Sequence, residues 1–325
     1  MDDITQGEPP VVAQISALRA RFGGIDTPGW AKRGGASPRL LARSLMRNMG
    51  LDLLPGTFAP VVLTLAALWS AGGLLHLTAI ALLCESLALA HIGLCLLSTS
   101  ADQSLLSTHP DAEAVAVVSR LVGVIALIVA CGAIVPLTAI AGMRLLVLAA
   151  GGFVLALLAI ATRLTRFRYV PFNALLALAL GPGLAFAVAD VQGRALNGGL
   201  ALLTAGVGVL FSVCLAERRM GASASSLLAD SPRAQMLLRL LLCVIMCAGF
   251  VMACLSTFTW RPLDGVVVGS LALPVVAVAA TGVGRARGHL AVSLAAMKTL
   301  RAHWLLCALL LIGLVGWGAI SRWVV

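Results

Sequence analysis

The sequence predicts an all-α integral membrane protein of nine transmembrane helices behind a short polar arm, and three observations carry that prediction. The 325 residues are 60% hydrophobic and only 11% charged, whereas a soluble domain carries about a quarter charged residues. Apolar stretches of about 20 residues, the length that crosses a hydrocarbon core of roughly 30 Å, recur from Leu53 onward. Lys and Arg, finally, collect in every second connection between those stretches.

Residues 1–50 are polar and Pro/Gly-rich and lack the continuous apolar core of a signal peptide, which predicts a cytosolic amino-terminal arm. Residues 51–325 form the membrane domain. Its spans are expected at 53–74, 77–98, 114–137, 144–162, 171–190, 198–216, 235–257, 264–283 and 303–323. Each is a helix, because a backbone in lipid must satisfy its own amides and carbonyls. Pro136, Pro182 and Pro274 are expected to kink these helices rather than end them.

Positive charge orients the bundle. Nineteen Lys and Arg fall in the arm and in or beside the connections after spans 2, 4, 6 and 8, against four (Arg144, Arg194, Arg261, Arg322) on the other side. The amino terminus is therefore expected in the cytosol and the carboxyl terminus outside, in a bacterial-type inner (cytoplasmic) membrane. The net charge of +10 is thereby read mainly as a topology signal, and no nucleic-acid partner is expected. The eight cysteines all lie within or at the ends of apolar runs and read as free thiols packed as small apolar groups.

The longest polar connections follow spans 2, 6 and 8, on the cytosolic side. The first offers Asp102, Asp111 and Glu113; the second offers Glu217 and Asp230 beside Arg218 and Arg219. Opposed acidic and basic loops above apolar helices suit a phosphate ligand with an apolar tail, held by a metal ion or by Arg. The same residues also suit ordinary solvated loops. Glu85 sits inside the second span, where an ionisable group is costly and normally faces the bundle interior. With His91 six residues on, it reads either as a cavity residue or as a protonated carboxyl bonded to a neighbouring helix; packing alone accounts for His91. Asp190 and Arg194 read as a surface pair, and Trp69, Trp260, Trp304 and Trp323 as interfacial anchors. Arg285–Arg301 has apolar residues at helical spacing between basic ends, the pattern of a helix lying along the membrane surface or of a plain connector.

Local segments add a resemblance. "LLPGTFAPVVLTLA" from Leu53 and "RFRYVPFNALLALALGPG" from Arg166 are similar to segments of the UbiA superfamily of intramembrane prenyltransferases, nearest its dihydroxynaphthoate polyprenyltransferase branch. Arg166, Tyr169, Gly181 and Pro182 fall into that frame without a gap. The resemblance spans about Leu51 to Trp323 and implies a nine-helix UbiA-like bundle with a lateral, lipid-accessible cavity. It makes Arg166 and Arg218 candidate diphosphate-binding groups and adds Tyr169 to Glu85 and His91 as a candidate cavity residue. The family's Asp-rich motifs, however, are degenerate. "LCLLSTSAD" keeps only Asp102, with Cys95, Ser98 and Thr99 at the other polar positions. "VCLAERRMGASASSLL" has Cys214 for an Asn and Glu217-Arg218 where Arg-Asp would stand.

In such enzymes the Asp pairs are thought to hold Mg²⁺ on a prenyl diphosphate, and Mg²⁺ demands hard oxygen ligands in near-octahedral array. The expectation is therefore a prenyltransferase-like protein without the chemistry, a pseudoenzyme that needs no cofactor. It would bind an isoprenoid, quinone or other membrane lipid in the inherited cavity, with protein partners in a membrane complex as a further expectation. The alternative is an active prenyltransferase that moves a polyprenyl group to an aromatic acceptor. It would gather Mg²⁺ from Asp102, Asp111, Glu113, Glu217 and Asp230.

Overall fold

Apolar stretches this long can satisfy their backbones in lipid only as helices, and the computed structural model is helical throughout. It describes residues 38–106, 110–161, 166–222, 232–286 and 289–324, and among these there is no strand. The helices are α1 (Pro38–Asn48), α2 (Leu54–Ser70), α3 (Leu77–Leu106), α4 (Pro110–Ala141), α5 (Met143–Ala161), α6 (Arg166–Val191), α7 (Gly198–Ala222), α8 (Pro232–Leu255), α9 (Leu273–Arg285) and α10 (His289–Val324). A 3₁₀ turn, Ser256–Phe258, and a longer 3₁₀ segment, Arg261–Ala272, lie between α8 and α9.

Seven stretches are long and apolar enough to cross a membrane: Leu77–Thr99, Val115–Ile140, Val170–Val191, Gly198–Glu217, Gln235–Phe258, Leu263–Arg285 and Leu294–Trp323. Leu54–Ser70 and Met143–Gly152 are shorter apolar helices. The seven coincide with seven of the expected spans, and the two shorter helices with the first and fourth. Pro55 sits in the first turn of α2, where its missing N–H costs nothing. Gly142 alone joins α4 to α5 at φ +76°, a conformation that only a residue without Cβ takes freely.

Pro136 and Pro182 lie inside α4 and α6, as expected. At Pro274 the helix changes type. Before it, Leu263, Val266, Gly269 and Ala272 are all buried at a spacing of three, the period of a 3₁₀ helix. After it, Val276, Ala279, Val283 and Ala286 follow the spacing of an α-helix. The burial stripe and the backbone period thus switch together.

The packing centres on α7, of whose apolar window 78% is buried, against 28–33% for the other six. It packs against α2, α6, α8 and α10. Apolar burial drives no association between helices already in lipid, so close van der Waals contact must hold them, and small residues permit it. A Cβ on Gly206 of α7 would stand 2.5 Å from the Ala253 nitrogen and 2.6 Å from the Gly249 carbonyl oxygen of α8. Gly93 and Gly123 make the equivalent crossing of α3 and α4, and Gly265 and Gly313 that of the 3₁₀ segment and α10. The α3–α4 hairpin joins the rest through Val61, Leu68, Leu83, Leu137 and Val188.

The 36 residues of α10 make it about 54 Å long at 1.5 Å per residue, more than the bilayer core needs. The surface helix expected over Arg285–Arg301 is not separate: from His289 it forms the first turns of α10. Val292, Ala295, Thr299 and Ala302 are buried, so its apolar face meets the bundle rather than the headgroups. At the far end, the Arg322 guanidinium lies 4.1 Å from the centroid of the Trp69 ring and donates to the Trp69 carbonyl at 2.5 Å. That contact clasps α10 to α2.

The glycine crossings predict a stability pattern. Gly206→Val and Gly249→Val should each cost about 1–3 kcal/mol through overpacking, read as a lowered thermal midpoint of the detergent-purified protein. Gly316→Ala, where nothing lies within 4 Å of the added carbon, should leave the midpoint unchanged. An unshifted Gly206→Val protein would refute the α7–α8 crossing.

Candidate functional site

Spacing of three on α7 (Phe211, Cys214, Glu217) and of four on α10 (Thr299, His303, Cys307) puts both sets on facing stripes, and the structure packs these together. Glu217 is 1% exposed, Cys214 2%, and Thr299 and His303 are fully buried. The Thr299 side chain lies within hydrogen-bonding reach of the Glu217 carboxyl, while its hydroxyl donates to the Ala295 carbonyl at 3.1 Å. His303 Nε2 stands 3.6 Å from Cys307 Sγ, and the His303 ring lies 5.2 Å from the Phe211 ring at a tilt of 33°. Cys243 of α8 is within electrostatic reach of Glu217.

Both carboxyl oxygens of Glu217 and Nδ1 of His303 are buried, and none makes a hydrogen bond of good geometry among the described residues, Thr299 alone standing near the carboxyl. Each orphaned group costs about 1–3 kcal/mol, and ionisable groups at membrane depth mark functional sites by default. Sequence reasoning set Glu217 in a loop and passed over His303. The corrected placement of Glu217 follows from α7 running on to Ala222, which carries the carboxylate into the interior along the Phe211–Cys214 stripe. His303 was findable as an ionisable side chain inside the last apolar stretch, with Thr299 and Cys307 one turn to either side.

A second feature lies further along α2 and α10. Val62, Ala66 and Trp69 of α2 face Leu311 and Val315 of α10 across a crevice of about 290 Å³, near the lower end of ligand-pocket sizes. Its walls are apolar, and Val62 and Val315 are 40% and 41% exposed, so it opens sideways on the surface that faces lipid.

Glu85 and His91 do not share a face. Six residues turn a helix by about 600°, or 120° from alignment, which puts Glu85 on the exposed side of α3 and His91 against α2. His91 Nε2 lies 3.1 Å from the Gly50 carbonyl oxygen, which only accepts, so in the neutral ring Nε2 carries the proton. Nδ1 then accepts from the Thr57 hydroxyl at 2.8 Å. Asp102 falls on α3, Asp111 and Glu113 on α4, Arg166 and Tyr169 on α6, and Arg218 on α7. Their side chains lie outside the described set, as does Asp230 entirely.

Among the described residues, the surroundings of Glu217 do not fit Mg²⁺. Two thiols, a hydroxyl already engaged and one carboxylate are not the hard oxygen set this ion needs. Among the described residues no three His, Cys, Asp or Glu side chains gather as metal ligands. No family model, curated protein or solved structure matches the chain.

The two histidine and carboxylate environments predict opposite outcomes. Glu217→Leu removes two orphaned acceptors and should raise the thermal midpoint of the ligand-free protein, by about 1–3 kcal/mol of stability. His91→Leu strands Thr57 and the Gly50 carbonyl and should lower it by a similar amount, about 1–3 kcal/mol. A destabilised Glu217→Leu protein would mean the carboxylate is satisfied after all.

Proposed function

We propose that the chain is a nine-span membrane protein of UbiA-like architecture that binds an isoprenoid- or quinone-type lipid between α2 and α10 and performs no prenyl transfer. Its amino terminus and arm lie in the cytosol, the end of α10 lies outside, and the membrane is of the bacterial inner type. The observation that carries the lipid reading is the lateral apolar crevice, whose walls match a hydrocarbon chain and offer nothing to a charged one. The two shorter apolar helices, α2 and α5, supply the first and fourth spans. The uneven split of Lys and Arg supports the orientation. Loss of carboxylates from both Asp-rich motifs, together with the thiols around Glu217, supports a repurposed site rather than a Mg²⁺-dependent one. A lipid-binding protein of this kind also suits a subunit of a larger membrane assembly.

Two measurements test the reading. Fusions of a cytosol-active fluorescent reporter and a periplasm-active phosphatase should give fluorescence after Asn48 and phosphatase activity after Gly193 and after α10; the reverse pattern would overturn the topology. Thermal stability of the purified protein should rise with decylubiquinone or geranylgeraniol equally in Mg²⁺ and in chelator, and Leu311→Trp, which fills the crevice, should abolish the rise. A rise with a prenyl diphosphate that requires Mg²⁺ and is lost in Asp102→Ala would establish an active prenyltransferase instead.

A further inference from the structure

The α3 helix carries an ionisable group on the side turned away from the bundle. Leu83 faces inward, in one cluster with Val61 of α2, Leu137 of α4 and Val188 of α6. To one side lies α4, where the Ser86 hydroxyl donates to the Ala130 carbonyl. To the other lie α2 and the turn before it, where Thr57 and the Gly50 carbonyl hold His91. Glu85 stands about 200° round the helix from Leu83, behind all three contacts. It is exposed, and among the described residues no group pairs with it. Its Cα lies about 12 Å along the helix from Leu77, where the apolar stretch Leu77–Thr99 begins. That depth is close to the middle of a hydrocarbon core of roughly 30 Å, and a glutamate side chain is too short to reach the headgroups from there.

The face around Glu85 has a pattern of its own. Thr78, Ala81, Glu85, Ala88 and Ile92 alternate spacings of three and four, the a/d seam of a heptad repeat. Thr78 and Ala81 are exposed like Glu85, and Ala88 and Ile92 are half-buried. In such seams one polar side chain at an a position fixes register and the number of strands. Small residues at d let two backbones approach closely in lipid. We infer that this face of α3 is the two-fold interface of a homodimer, in which the Glu85 carboxyl pairs with the same group of a second copy. Chemistry selects that occupant. A carboxyl in hydrocarbon takes up a proton rather than carry its charge there, and the neutral group both donates and accepts. Two of them satisfy each other through a pair of O–H···O bonds, which lipid tails cannot offer. Copies of one chain share one topology, so a two-fold axis between them runs along the membrane normal and each residue meets its counterpart at its own depth. The two α3 helices then run parallel, as the seam requires. The inference needs only that α3 crosses the membrane; it is independent of the lipid reading, and it supplies a partner for the assembly suggested there.

The test reads association of the full chain in liposomes, by energy transfer between copies fused at the amino terminus to donor and acceptor fluorescent proteins, as the protein-to-lipid ratio falls. Glu85→Leu should weaken the dimer about tenfold or more, the ratio that one net hydrogen bond's worth of free energy gives. Glu85→Gln, whose amide also donates and accepts, should keep it. Ala81→Phe, which holds the two backbones apart, should weaken it with the carboxyl still in place. Val244→Phe, on the exposed side of α8, which packs against α6, α7 and α9, should leave it unchanged. Because Glu85 bonds to nothing described within its own chain, Glu85→Leu should keep the thermal midpoint of the dilute monomer in detergent. A monomer at every ratio would overturn the inference. So would a dimer that Glu85→Leu and Ala81→Phe leave intact. A foreign membrane protein that co-purifies with the unmodified chain and not with Glu85→Leu, where no second copy does, would overturn it as well and give the face to another partner.

Discussion

The structure depends on how closely α7 can be approached. In lipid, neighbouring helices gain nothing by hiding apolar surface from water, so a helix at the centre is held only by contact and by hydrogen bonds across interfaces. α7 meets α6, α8, α10 and α2, and where it crosses α8 the two backbones touch through Gly206 and Gly249. Gly181 of α6 packs against the Thr204 backbone of α7. With α7 seated that way, whatever it carries toward its last turns is fixed deep in the bundle. Glu217 is buried because the glycines two and three turns earlier bring its neighbours close.

Most of the helical framework was legible in the sequence because its signal is local. Apolar length and loop charge mark where a segment enters and leaves lipid, so Leu54–Ser70 and Gly198–Ala222 emerge close to the expected 53–74 and 198–216. Tertiary contact decides the remainder. Arg285–Arg301 has the pattern of a surface helix, yet Val292 and Ala295 find the bundle first and the segment becomes part of α10. The change from 3₁₀ to α at Pro274 was also written in the spacing of buried residues, but that spacing can be read only once it is known which residues are buried. Glu217 and His303 belong to the same class: sequence marks each as ionisable and apolar-flanked, and only packing shows that their stripes meet.

Some buried polar groups elsewhere in the bundle are paired across helices, whereas Ser70, Ser119 and Thr257 hydroxyls, like Glu217 and His303 Nδ1, are buried without a partner among the described residues. Ser86 of α3 donates to the Ala130 carbonyl of α4 at 2.9 Å, and Asn173 of α6 donates to the Ser212 carbonyl of α7 at 3.0 Å. These bonds join neighbouring helices and act as glue. His91 does the same between α3 and the turn before α2. Glu217 and His303 differ from the unpartnered hydroxyls in being ionisable, so each costs more to bury.

The position of the crevice follows from the same economy of contact. α2 and α10 share a core through Leu63, Ala67, Leu310 and Leu314 and are fixed to each other near both ends. At one end Gly56 receives the Phe211 ring that stacks on His303. At the other, Gly318 packs on Ser70 and Arg322 clasps Trp69. Neither helix can shift to close the gap without breaking an end contact, and the side chains between them, Val62, Ala66, Leu311 and Val315, are too short to fill it. The crevice that remains is lined by apolar side chains alone and opens sideways between the two helices.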